Sequence, residues 1–119
     1  MASDTYHEPL DLLSEDTRNL HRAIVSLMEE LEAIDWYGQR AEACPDANLK
    51  AVLLHNRNEE IEHAMMVLEW IRRHSDDFET AMRKYLFTTQ PITAIEESTA
   101  GGAAGAGAAT LGIGSLKGR

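Results

Sequence analysis

Apolar residues recur at steps of three and four over two long stretches of this chain, with one break between them. The first series is Leu13, Thr17, Leu20, Ile24, Leu27, Leu31 and Ile34. Its alternating steps of four and three mark one face of an α-helix. The pattern predicts a helix running to about Glu42. Ser14 is its N-cap, and Glu15 and Asp16 stand in the first turn, where a helix favours negative charge. A heptad-like seam of this kind suits near-antiparallel packing against another long helix. A narrower stripe of Ala23, Ser26, Glu30, Ala33 and Tyr37 runs beside it, with Glu30 roughly 80° from the centre of the seam. Gly38 lies inside this helix, where it is about 1 kcal/mol less favourable than alanine.

Cys44-Pro45-Asp46-Ala47-Asn48 breaks the pattern. Pro45 disfavours helix at Cys44, and Asp46 can cap a second helix. That helix is expected from about Ala47 to His74. Two long helices joined by a short connection make an antiparallel hairpin. Ser75 then opens a shorter helix, Asp76 to Leu86, with Phe78, Met82 and Tyr85 as its apolar face. Residues 92–97 fit helix and loop equally. Residues 98–110 are Gly, Ala, Ser and Thr and read as a flexible linker with a reach on the order of 20 Å. Apolar residues return in 111–119. Leu111, Ile113 and Leu116 read as a docking peptide for a groove on a partner, with a frayed tail as the plainer reading. The fold class is therefore all-α: a two-helix hairpin domain over 1–97 with a short C-terminal helix, a linker over 98–110 and a peptide over 111–119.

Composition sharpens this picture. With the linker set aside, about 90 residues remain, and two helices of that size bury little on their own. Oligomerisation is expected. The net charge is −9, from 20 acidic and 11 basic residues. Nucleic acid is disfavoured as a partner, because binding it needs Lys and Arg against phosphates. An anionic membrane surface is disfavoured for the same reason. The charge suits attraction of cations, though ordinary solubility accounts for it as well. Cys44 is the single cysteine, so no intrachain bridge can form, which fits a cytoplasmic setting. No apolar run approaches the length of a membrane span. Residues 1–8 are polar and acidic and do not read as a secretory signal.

The candidate chemistry sits in Asn58-Glu59-Glu60-Ile61-Glu62-His63. Glu60 and His63 are three apart on a helix and share a face. Leu49, Val52, Val67 and Trp70 lie nearest in angle, so that face is expected to be buried. A buried carboxylate beside a buried imidazole needs something to satisfy both, and a metal ion is one such partner. Glu30 lies 15 residues before Pro45 and Glu60 lies 15 after it. At 1.5 Å rise per residue the two carboxylates reach about the same level of the hairpin. Glu30, Glu60 and His63 are half of a di-iron inventory in which two helices each give a Glu and two others each give a Glu-x-x-His. Two protomers around a two-fold axis would supply the whole set and complete a four-helix bundle. Carboxylate oxygens with one imidazole nitrogen per metal suit Fe²⁺ or Mn²⁺. Glu30 is assigned as the bridging ligand, Glu60 as a carboxylate ligand and His63 as the nitrogen ligand. Glu62 points about 160° from Glu60; Glu59 lies closer in angle to His63 and stays open as an alternative.

The chain resembles the encapsulated ferritins, a ferritin-like family packaged inside encapsulin nanocompartments. The resemblance rests on His7-Glu8-Pro9-Leu10, on His21-Arg22-Ala23-Ile24-Val25 and on Met28 to Tyr37. It continues through His55 to Ala64, Leu68 to Arg73 and Tyr85-Leu86-Phe87-Thr88. Leu111-Gly112-Ile113-Gly114-Ser115-Leu116 is similar to an encapsulin cargo-loading peptide. The resemblance implies a ferroxidase that oxidises Fe²⁺ with oxygen at a di-iron centre shared by two protomers, with Glu30, Glu60 and His63 as ligands. It implies a homodecameric ring of five dimers, with iron stored as mineral inside the shell. It also implies an outer site for calcium or another divalent metal at Glu29 and Glu32, which otherwise read as solvated acids. Tyr37 falls near the centre, and Trp36 reads as core packing. Two rival readings use the same helices: a non-catalytic iron-binding buffer, and a metal-free helical adaptor with a docking tail.

Overall fold

The computed structural model describes residues 5–102. The remainder of the Gly/Ala stretch and the peptide carrying Leu111, Ile113 and Leu116 lie outside the described residues. Within them the chain is all-helical: a short 3-10 turn at Leu10–Leu12, then α1 (Glu15–Ala43), α2 (Ala47–His74), α3 (Asp76–Tyr85) and α4 (Ile92–Gly102). It forms two compact units, Met1–Ile71 and Arg72–Arg119, with the division inside α2.

In the first unit the helix ends obey local chemistry. The Ser14 hydroxyl accepts from the Thr17 N–H at 3.1 Å. The Asp46 carboxylate accepts from the Leu49 N–H at 2.8 Å and opens α2. Each satisfies a donor that the first turn leaves without a helical partner. Between them only Cys44, Pro45 and Asp46 connect α1 to α2, so the two helices run antiparallel. This register sets the pairing of residues across the hairpin: Glu30 meets His63, and Gly38 meets the stem of Arg57. A methyl group added at Gly38 would touch Arg57 Cδ at 3.7 Å, an ordinary contact. Space does not require glycine there.

The hairpin buries less than its apolar pattern promises. The fully buried residues of this unit are Ala41, Ala64 and Ile71. Leu31 of the expected seam is 51% exposed, and Thr17 is exposed as well. Leu49 and Val52, expected beneath the Glu60–His63 pair, are also about half exposed. Trp36, expected in a core, is 48% exposed. The reason is geometric. Two helices can cover only one line on each other, and here that line passes through small side chains. The wider apolar faces on either side are left for other surfaces.

In the second unit Ser75 caps α3 by accepting from the Phe78 N–H at 3.3 Å. Glu79 of α3 takes the guanidinium of Arg72 and that of Arg83. The helix ends at Tyr85, and Phe87 comes soon after with φ 61°, the left-handed conformation usual just beyond a helix. For a bulky side chain that conformation costs on the order of 1 kcal/mol or more. The Pro91 carbonyl accepts from the N–H groups of Ala94 and Ile95 and starts α4. Helices α3 and α4 pack on each other, with Ile95 buried. Residues 92–97 are therefore helical, and α4 continues to Gly102, into the stretch whose composition reads as linker. Its Glu, Ser, Thr and Ala residues include the strongest helix former, and nothing before Gly101 breaks the helix.

Candidate metal centre

Glu30 comes from the middle of α1, and Glu60 and His63 from the middle of α2. The antiparallel register brings them to one level. One ligand atom from each lies within 4.8 Å of the others, and among the described residues this is the group of three or more that can hold a metal ion. His63 Nδ1 is 3.2 Å from Glu60 Oε1 and 4.0 Å from Glu30 Oε1. The two glutamate side chains are each 25% exposed and the histidine 47%. The group is thus walled by the hairpin on one side and open on the other.

Its electrostatics are unbalanced. A hydrogen bond between the Glu30 and Glu60 carboxyls pushes their ionisation in opposite directions. The bond to Glu60 holds the Glu30 carboxyl above its usual range, and partial burial pushes the same way. Glu60 is held below its usual range by accepting from Glu30 and then by His63. No Lys or Arg stands among the causes of either shift. A cation between the carboxylates would meet two hard oxygens and one nitrogen, a donor set that fits Fe²⁺ or Mn²⁺.

The neighbouring acids fall elsewhere. Glu59 stays exposed 3.9 Å from His55, and the group of three forms with Glu60. Glu62 is exposed. Glu29 is exposed and Glu32 half-buried, and they form no group of three with another donor among the described residues. Tyr37 is half-buried with the Arg40 guanidinium 5.5 Å from its ring centre. Among the described residues, Glu29 and Glu32 are not gathered with the three donors.

Comparison with known proteins places this geometry. Residues 5–89 match the model of the EncFtn-like family. An "Encapsulated ferritin-like protein" of Rhodospirillum rubrum is 55% identical over 127 aligned positions, covering 98% of this chain and 91% of that protein. A "Ferritin-like protein" of Thermotoga maritima is 49% identical over 105, covering 88% and 92%. The crystal structure of a protein from Nitrosomonas europaea superposes with a TM-score of 0.70 at 59% identity, covering 73% of this chain and 96% of that one. The family match spans most of the chain and includes all three clustered donors, and the relatives align over nearly their whole lengths: the chain belongs to the EncFtn-like family, the encapsulated ferritins.

Proposed function

We propose that the protein is a ferroxidase, oxidising Fe²⁺ to Fe³⁺ with O₂ at a di-iron centre that two protomers share. The observation that carries this reading is the convergence of Glu30, Glu60 and His63 within 4.8 Å, one ligand atom from each. Three donors on one open hairpin make half a centre. A second hairpin around a two-fold axis supplies the other half. It also covers apolar residues such as Leu31, Leu49 and Val52, which one chain leaves half exposed.

In this reading Fe²⁺ is the substrate. Glu60 and His63 each offer a ligand to one ion, and Glu30 reaches across to bridge two. Each Fe²⁺ gives up one electron. Two ions and two protons reduce O₂ to hydrogen peroxide; four of each take it to two waters. The open side at His63 leaves room for oxygen. Glu29 and Glu32 are proposed as an outer site where incoming divalent ions, calcium among them, first bind. Tyr37 stands as a neighbour of the centre.

The assembly is proposed to be a dimer repeated into a decameric ring. The partner is proposed to be an encapsulin shell, engaged through Leu111, Ile113 and Leu116, with mineral accumulating inside the compartment in the cytoplasm. The name of the Rhodospirillum rubrum relative supports encapsulation.

The test is an anaerobic Fe²⁺ titration of the purified protein, then admission of oxygen with the ferric absorbance as readout. Saturation near one Fe per chain, then oxidation of added excess over many turnovers, is the expected result. Saturable binding without turnover would make the protein an iron buffer. No binding would leave a helical adaptor.

A further inference from the structure

We infer that α2 pairs antiparallel with α2 of a second copy, the two-fold axis crossing the helix midway between Glu60 and His63. The inference rests on the shared-centre reading above and settles which way the second hairpin lies. Leu53, Asn56, Glu60, His63, Val67 and Trp70 follow one another at steps of three, four, three, four and three. That is a heptad seam, and the two donors of α2 are positions in it. Ala64, one residue past His63, is fully buried, so α1 covers the strip beside the seam. On the seam itself His63 keeps a side chain 47% exposed, and Asn56 and Val67 are half-buried. Within one chain the seam has no second helix to close it.

Such a seam reads the same from both ends about the middle of any step of three. The donors single out the step from Glu60 to His63, because a centre shared across a two-fold axis lies on that axis. Two directions of the axis meet this condition. An axis along the helices sets each residue against its own copy. The open groove of about 390 Å³ between α1 and α2, walled by Ala23, Ser26, Val67 and Trp70, then faces a second groove. An axis across the helices sets Asn56 level with the partner's Val67, and Leu53 level with the partner's Trp70. Each groove then receives a leucine. On α1, Ala23 and Tyr37 stand seven residues either side of Glu30, so the same axis sets the Tyr37 ring opposite the partner's Ala23. Large side chains meet small ones and hollows are filled, as close packing requires.

A contact about a two-fold axis occurs twice. The donors therefore lie between two identical stacks, each an Asn56–Val67 layer followed by a Leu53–Trp70 layer. Asn56 is the polar member. In a heptad seam such a residue fixes register at a cost in stability, and here it stands one turn from Glu60, where register decides whether the half-sites meet.

The experiment is thiol cross-linking of the full chain carrying Cys44→Ser, with and without Fe²⁺, in the absence of oxygen. Asn56→Cys combined with Val67→Cys should give covalent dimer with a short bismaleimide, and either variant alone should give none. Within one chain the two thiols are about 16 Å apart along α2, beyond the span of the reagent. Asn56→Leu should tighten the dimer about tenfold in sedimentation equilibrium, since it makes a polar layer apolar. Covalent dimer from either single variant would put the axis along the helices and overturn the inference. So would no covalent dimer from the double variant in both conditions, or a dimer left unchanged or weakened by Asn56→Leu. Iron oxidation by the unsubstituted chain is read separately. Cross-linking as expected without oxidation would fail the ferroxidase reading alone, and oxidation without cross-linking would fail the pairing alone.

Discussion

Two glutamates of this chain, Glu30 and Glu79, are about equally covered, with side chains 25% and 22% exposed. Their carboxyls are nevertheless pushed in opposite directions. Glu79 is held below the usual carboxylate range by the guanidinium of Arg83 and then by that of Arg72. Glu30 is held above it by its hydrogen bond with Glu60 and then by partial burial. One cluster has brought its own cations and is electrostatically closed. The other sets two carboxyls against each other beside a single histidine. Burial is nearly the same in both, so it does not distinguish the two clusters; the charge set around each carboxyl does.

The comparison can be broken in order of expected effect. His63→Ala or Glu60→Ala should lower the rate of Fe²⁺ oxidation on the order of a hundredfold or more, since even losing an outer partner of a ligand costs 10–100-fold. Glu79→Gln should leave that rate little changed. Near-native rates in both donor variants would show that the open cluster is no more functional than the closed one. Next, a divalent cation at 100 times its dissociation constant should stabilise the native chain against heat by about 2.7 kcal/mol. Glu30→Gln should lose most of that gain. An equal gain in both would place the cation elsewhere.

The closed cluster gives the smaller effects. Glu79→Gln should cost on the order of 1 kcal/mol without metal, the upper range for a partly exposed ion pair, read from denaturant midpoints. Because the folded Glu79 binds its proton less readily than the unfolded chain, with its reference value of 4.5, its contribution is present above that value. It is lost as pH falls through the lower folded value. The gap between native and Glu79→Gln stability should therefore close in acid and stay constant from about pH 6 to 8. A gap that widened in acid would contradict the sign.

Much of this was legible in the sequence because it depends on local chemistry and counting. Ser14, Asp46 and Ser75 cap as their side chains dictate. Pro45 places the turn, and equal offsets from it place Glu30 beside Glu60. What the sequence could not supply was which part of an apolar face one partner covers. Leu31, Leu49 and Val52 carry the right period and remain half exposed, because periodicity records every surface a helix must bury, in whatever assembly. Glu59 and Glu60 were inseparable by angle alone. Only the side-chain positions show Glu59 turned to His55. The extension of α4 to Gly102 was hidden for a different reason, since alanine-rich sequence serves helix and linker alike.

Ala64 stands one residue past His63 and four past Glu60, on the side of α2 that meets α1, and it is fully buried. Ala41 of α1 is buried as well. The separation of the two helices sets how far Glu30 stands from Glu60 and His63. A longer side chain at either alanine would act as a wedge, since a packed interior yields to added atoms only by moving apart. The three donor side chains would then stand farther apart although none of them had been changed. Their spacing is therefore inherited partly through two residues that carry no reactive atom.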